Sequence, residues 1–281
     1  MSGFSPEWLA LREPADHQAR SIELREKLQA YFAGRDELRI VDLGCGSGSN
    51  LRALAPHLAA TQHWRLVDYD PALLSAAREA LKNWADMAQE KSGVLHLQKN
   101  DKFIVVSFDQ VDLARDLERL LADRADLVTA AAFFDLVSED WIERFCKALA
   151  AHRLPFFTVL TYDGTDRWSP AHPQDAAMVQ AFHAHQGSDK GFGKAAGPRA
   201  TDVLQKALTQ LGYAVTIHPT PWKLDAAQRK LMNALSDGFA NAVAETGLVA
   251  KSDIEDWRRA RLSAATCAVG HYDLLGLPSI D

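Results

Sequence analysis

The run Ile40-Val41-Asp42-Leu43-Gly44-Cys45-Gly46-Ser47-Gly48-Ser49-Asn50 constrains this chain more than any other segment, because it passes from an apolar strand through alternate glycines into a helix. Glycine permits positive φ and close approach of a ligand to the backbone, so the turn can hold a small molecule at a helix N-terminus.

The flanking pattern repeats that unit. Leu38 to Leu43 reads as a buried strand, Leu51, Leu54 and Leu58 as a helix, and Trp64 to Val67 as a second strand. A second helix opens at Asp70-Pro71, with Asp70 as cap, and carries Leu73, Leu74, Ala77, Leu81 and Trp84 on one face. Alternation of this kind gives an α/β fold with a parallel sheet. Two extended pieces around Asn100-Asp101, strands at Ala125 to Ala131 and Pro155 to Tyr162, and a helix from Glu139 to Ala150 continue it. Ahead of the sheet, residues from about Asp16 to Ala33 suit one amphipathic helix. After Leu211, a strand near Val215 to His218, helices at about Asp225 to Glu245 and Asp253 to Leu262, and an apolar end from Ala265 to Leu275 are expected.

A dinucleotide fingerprint, G-x-G-x-x-G, would need its third glycine at position 49, where Ser49 stands. Asp42, two places before Gly44, would repel a pyrophosphate and attract an ammonium or sulfonium. Asp68 ends the second strand at the distance from the loop where a carboxylate can accept both ribose hydroxyls.

Asp42-x-Gly44-x-Gly46-x-Gly48 together with Asp68-Tyr69-Asp70-Pro71 resembles the first two motifs of class I S-adenosylmethionine-dependent methyltransferases. The resemblance covers residues 36 to 162 well, and the tail only through its closing strands. It implies a Rossmann-like, mostly parallel seven-stranded sheet with helices on both faces, and helical or loop insertions after the fifth and sixth strands. It also implies that Gly44, Cys45, Gly46 and Gly48 pack against the methionine and ribose parts of the cofactor, that Asp42 serves its methionine end, and that Asp68 with Tyr69 meets the ribose. Asp112 and Leu113 match the adenine position, and Ala130 to Phe134 the segment between cofactor and acceptor, with Phe133 on the acceptor side. The Ala-Ala-Ala-Phe-Phe-Asp sequence there is not the Asn/Asp-Pro-Pro-Tyr pattern of enzymes that methylate nucleobase or glutamine amino groups. The resemblance therefore implies S-adenosylmethionine as cofactor, S-adenosylhomocysteine as product and a small-molecule acceptor. A nicotinamide-dependent oxidoreductase and a non-catalytic S-adenosylmethionine-binding protein are the alternatives, separated by cofactor identity and by turnover.

Acceptor handling is expected in the glycine-, histidine- and proline-rich insertion from 163 to 199, an acceptor-side lid with His183, His185 and Asp189 as catalytic candidates. Tyr162, Asp163 and Lys190 are candidates for holding the acceptor. His183, His185 and Asp189 could also be read as metal ligands, but no fourth ligand is evident and no metal is expected. His271 reads as a buried structural histidine and Asp135 as a cap or turn residue.

The domain reading is a helical segment over 1–35, a cofactor-binding core over 36–162, the insertion, and 200–281 as the rest of the same domain. Lys and Arg number 31 against 37 Asp and Glu and are scattered, so the electrostatic footprint of a nucleic-acid binder is missing. No segment approaches the ~20 apolar residues of a membrane span, and the first residues do not read as an export signal. Cys45, Cys146 and Cys267 have no metal or disulfide spacing. A cytoplasmic monomer or homodimer is the expectation.

Overall fold

A computed structural model describes residues 4–189 and 191–279. Helix α1 (Pro6–Ala19) begins at Ser5, whose hydroxyl accepts from the Trp8 amide at 3.2 Å, and it runs through Pro14 without ending there. The chain breaks at Arg20, and Ser21 caps α2 (Ile22–Tyr31) through the Leu24 amide at 3.2 Å. The single helix expected from Asp16 to Ala33 is thus two, and the first starts ten residues earlier. Pro14 removes only one amide donor within α1, a loss its packing over the sheet outweighs.

Next come β1 (Glu37–Leu43), α3 (Ser49–Leu54), β2 (Thr61–Asp68), α4 (Pro71–Trp84), β3 (Met87–Lys91), β4 (Val94–Lys99) and β5 (Lys102–Gln110). They are followed by α5 (Leu113–Leu121), β6 (Leu127–Ala131), α6 (Glu139–Ala151), β7 (Phe156–Ser169), α7 (Asp175–Gln186) and α8 (Ala200–Gln210). The chain closes with β8 (Tyr213–Pro219), β9 (Trp222–Leu224), α9 (Arg229–Thr246), α10 (Lys251–Arg261) and β10 (Thr266–Pro278).

The sheet order is β3-β4-β5-β2-β1-β6-β7-β10-β8, with β9 paired to β10. From β5 to β7 the strands are parallel, and β10 lies antiparallel between β7 and β8. Those seven strands are the expected Rossmann-like sheet. The described residues add three: β3 and β4 extend one edge as antiparallel strands, and β9 adds to β10. β3 is exposed along its whole length, so it carries no apolar alternation by which a strand is recognised.

Alternate residues of β1 feed opposite cores. Leu38 and Ile40 pack with Leu24, Leu28, Leu51 and Leu74 on one face, while Val41 and Leu43 pack with Leu117, Ile142 and Leu204 on the other. Burial on both faces points the C-terminal ends of the parallel strands, and the loops after them, at one rim of the sheet.

β7 continues seven residues past the expected Tyr162 end and pairs with β10 as far as Ser169 and Thr266. α7, α9 and α10 pack on that extension, so the two insertions form one cap. Phe182 stacks on Phe239 with centroids 4.2 Å apart, and Phe239 on Trp257 at 5.4 Å. Arg261, 1 % exposed, lies between Trp168 and Trp257, pairs with Asp175 and donates to the Pro170 carbonyl at 2.9 Å. Removing one partner of such a buried pair strands the other. Arg261→Ala should therefore lower stability by about 3–5 kcal/mol in urea unfolding, and Arg261→Met by less, because it refills the space between the tryptophans.

Candidate active site

The glycine loop leaves β1 with Gly44, Gly46 and Gly48 all in the left-handed region, at φ 60, 53 and 75°. A Cβ on Gly44 would lie 2.6 Å from the Phe133 ring, so no other residue fits there without moving that ring. The Cys45 amide donates to the Val67 carbonyl at 3.0 Å, and the Gly46 amide to Asp68 Oδ2 at 2.9 Å. Asp68 Oδ1 accepts from the Asp70 amide at 3.0 Å. The carboxylate expected to meet a ribose thus also fixes the loop, and its remaining lone pairs are free at the rim. Burial raises its pKa against the pull of those amides.

Asp42 is fully buried beneath the loop. Its Oδ1 accepts from Asn50 Nδ2 at 2.7 Å, and its Oδ2 has no partner. The same Nδ2 donates to Thr129 Oγ1 at 3.1 Å, Thr129 donates to the Phe157 carbonyl at 2.8 Å, and Arg20 Nη1 donates to Asn50 Oδ1 at 2.7 Å. Burial pushes the Asp42 carboxyl up to about 7, with the Asn50 hydrogen bond and the Arg20 charge opposing it.

Above the loop opens a cleft of about 310 Å³. Asp42, Gly44, Cys45, Gly46, Asp68, Tyr69, Asp112, Leu113 and Phe133 all line it. Asp112 also caps α5 through the Ala114 amide at 3.0 Å. Gly48 stands one step behind as the N-cap of α3, and Ala130 is buried in β6 while Ala131 and Ala132 reach the cleft.

The acceptor-side expectations are displaced. His183 and His185 lie on α7, not on a strand, and residues two apart on a helix point to different sides. His183 faces the Gly164 carbonyl at 3.1 Å, and His185 meets Glu245 at 2.9 Å. Asp189 accepts from the Gly191 and Gly193 amides at 2.7 and 2.9 Å and shapes a turn. Tyr162 is buried and donates to Asp166, and Asp163 accepts from the Thr165 amide at 2.8 Å. None of these five lines the cleft. Lys190 lies outside the described residues. From the insertion, Gly191 and Phe192 do reach the cleft, where Phe192 packs edge-on against Phe133 at 5.8 Å and Trp141 at 5.6 Å.

The wall opposite the loop is α1, which the sequence reading missed. Leu9, Arg12, Asp16 and Arg20 line the cleft at the three- and four-residue spacing of one helix face. Arg12 Nε bonds Asp16 Oδ2 at 2.9 Å, the Arg12 guanidinium lies 5.0 Å over the Trp222 ring, and Trp222 Nε1 donates to Asp16 Oδ1 at 3.1 Å. Asp135 is not a cap. It is buried in the turn between Phe133 and Leu136, both of which line the cleft. Its Oδ2 accepts from Gln186 Nε2 at 3.2 Å and its Oδ1 has no partner. Burial raises its carboxyl to about 6, opposed by hydrogen bonds and the Arg12 charge. His271 is buried against Trp222, as expected, with Nδ1 unpartnered.

Residues 41–152 match the family model described as a methyltransferase domain. No curated protein matches the chain. Among solved structures, the YcgJ protein from Bacillus subtilis superimposes over 93 % of this chain and 100 % of its own at 14 % identity, with a TM-score of 0.51. A SAM-dependent methyltransferase from Geobacter sulfurreducens, solved with S-adenosylhomocysteine, covers 98 % of this chain and 99 % of its own at 16 % identity, with a TM-score of 0.48. At 14 % identity the likeness to the YcgJ protein speaks to the fold alone.

The raised Asp42 carboxyl has a thermodynamic consequence. In the ligand-free fold it ionises near 7, against about 4 in an unfolded chain, so the stability carried by its neutral form is complete at low pH and is lost as pH rises from about 4 to 7. The full difference is on the order of 4 kcal/mol. Asp42→Asn should therefore gain thermal stability relative to the unaltered protein at pH 8 and not at pH 4; equal shifts at both would show that Asp42 is ionised throughout.

Proposed function

We propose, from the match of residues 41–152 to a methyltransferase domain, that the protein is a class I S-adenosylmethionine-dependent methyltransferase and that it methylates a small-molecule acceptor held between α1 and the turn after β6. S-adenosylmethionine is the cofactor. The observation that carries the acceptor reading is that Arg12 and Asp16 form the wall facing the glycine loop, with Asp135 buried in the turn whose neighbours Phe133 and Leu136 line the same space.

The residues present fit the cofactor. Asp42 Oδ2, buried and unpartnered, suits the methionine ammonium, and Arg20 suits its carboxylate. Gly44, Cys45 and Gly46 leave room for close backbone approach, Asp68 accepts ribose hydroxyls, and Asp112 and Leu113 with Phe192 enclose the adenine. The cofactor supplies a methyl carbon already made electrophilic by its sulfonium. What remains for the protein is to align the acceptor and exclude water. Arg12, held by Asp16 and Trp222, is a fixed donor for positioning. Asp135 does not line the cleft itself: buried behind Phe133 and Leu136, with burial raising its carboxyl to about 6, it holds the turn through Gln186.

Titration calorimetry should detect S-adenosylhomocysteine and not NAD. Asp68→Ala should weaken that binding by about 2–4 kcal/mol, through lost ribose contacts and a loosened loop. Because ammonium binding needs ionised Asp42, affinity should fall as pH drops below 7, by up to about tenfold per unit, and Asp42→Asn should flatten that dependence. Incubation with isotopically labelled S-adenosylmethionine and a metabolite extract, followed by mass spectrometry, identifies the acceptor. On it Arg12→Gln should lower kcat/KM by about tenfold or more while S-adenosylhomocysteine affinity stays within a few-fold. Full activity of that variant, or no transfer to any small molecule, would refute the assignment.

A further inference from the structure

A second cavity, of about 250 Å³, lies beneath the junction of α1 and α2, against the end of α3 and Phe157 of β7. Its polar wall is cationic. Arg20, Arg25, Arg52, His17 and His57 line it, and no Asp or Glu does so among the described residues.

The charges are unevenly balanced. Arg52 is neutralised by Glu13 through bonds of 2.8 and 2.5 Å. The Arg25 side chain has no hydrogen-bond or ion-pair partner among the described residues, and its Nε is buried. Arg20 spends Nη1 on the neutral Asn50 Oδ1, and its Nε is also buried without a partner. The nearby Asp273 carboxylate is committed elsewhere, to the Ser21 and Leu160 amides and the Thr220 hydroxyl. Buried guanidinium N–H groups without acceptors are costly. The carboxylates of Asp273, Asp16, Asp42 and Glu13 offset the Arg20 charge, whereas the Arg25 guanidinium faces the cavity with no paired carboxylate. Burial is the main cause of the lowered pKa values of both histidines; at His17 Arg20 and Arg52 add to it and Glu13, 3.6 Å away, opposes it, and at His57 Arg25 and Lys102 add to it.

We propose that this cavity is an anion site for a phosphate group, either free orthophosphate or the phosphate of a small monoester. A phosphate dianion has enough oxygens to accept from both buried Nε groups while reaching an imidazole. A carboxylate, with two oxygens, would leave the imidazole unmet. The volume holds the phosphate with a short attached group. The site lies on the helix-covered face of the sheet, away from the rim where the glycine loop opens, and the inference does not depend on the methyltransferase reading. Arg20 alone borders both spaces.

The test is titration calorimetry at constant ionic strength with orthophosphate and, separately, glycerol phosphate. Saturable one-to-one binding in the millimolar range or tighter is expected. Arg25→Gln should weaken it at least tenfold and Arg25→Lys by less, whereas Arg115→Gln, at a side chain 86 % exposed, should leave it unchanged. An unchanged far-ultraviolet circular dichroism spectrum and cooperative thermal unfolding of Arg25→Gln, measured on the same preparations, report that the variant is folded. Tighter glycerol phosphate binding identifies a monoester as the ligand; tighter orthophosphate binding identifies the free ion. Absence of saturable binding for both probes, or equal affinity in Arg25→Gln and the unaltered protein, overturns the proposal.

Discussion

The working rim of this protein depends on one asparagine. Asn50 gives both of its amide hydrogens away, to Asp42 and Thr129, and takes one from Arg20. Thr129 passes the connection to the Phe157 carbonyl. Strands β1, β6 and β7, helix α3 and the end of α1 are thereby fixed to each other under the glycine loop. Each such bond adds only about 1 kcal/mol net, but losing a partner inside the sheet exposes the full desolvation cost of the other. The network is nevertheless incomplete, since Asp42 Oδ2 has nothing to accept. That oxygen raises the energy of the empty cleft, and a cationic group delivered to it would relieve the cost.

Asp273 gives the contrast. It too is a buried carboxylate at the same rim, but all its bonds are internal: Oδ1 takes the Leu160 amide and the Thr220 hydroxyl at 2.9 Å each, and Oδ2 the Ser21 amide at 2.8 Å. Leu160 and Ala132 both sit at positive φ, 61 and 50°, where a side chain is strained by about 1–3 kcal/mol. Asp273 receives the Leu160 amide that this conformation turns out of the ladder, and the Val159 carbonyl receives that of Ala132 at 3.0 Å. A satisfied carboxylate here stabilises a bend, and an unsatisfied one leaves a place for a ligand.

What was legible in the sequence follows from how locally each feature is determined. The glycine loop, Asp68 and the apolar strands are set by neighbours within a few residues, and the residues expected to contact cofactor fall around one cleft, apart from Gly48 and Ala130 just behind it. Helix α1 was obscured by Pro14, although Leu9, Arg12, Asp16 and Arg20 share a face; their polar character hides a periodicity that only apolar residues advertise. The run Asp163-Gly-Thr-Asp-Arg in β7 reads as a loop because its strand character comes from β10, a hundred residues away. His183 and His185 lie close in sequence, but on α7 residues two apart do not share a side. Asp135, in a short turn, owes its burial to Gln186, which no local pattern announces.

The cap divides the labour of the cleft differently from a lid over the acceptor. Its mass of α7, α9 and α10 packs on the far extension of β7 and β10, and only Gly191 and Phe192 return to the rim. Phe192 arrives beside Phe133 and Trp141, and Trp141 Nε1 donates to the Leu113 carbonyl at 2.8 Å, so the insertion meets the rim where α5 begins. Gly191 and Gly193, at φ 99 and 84°, flank Phe192, and Asp189 holds both of their amides. The aromatic contacts and those two hydrogen bonds together fix the place at which the insertion reaches the cleft.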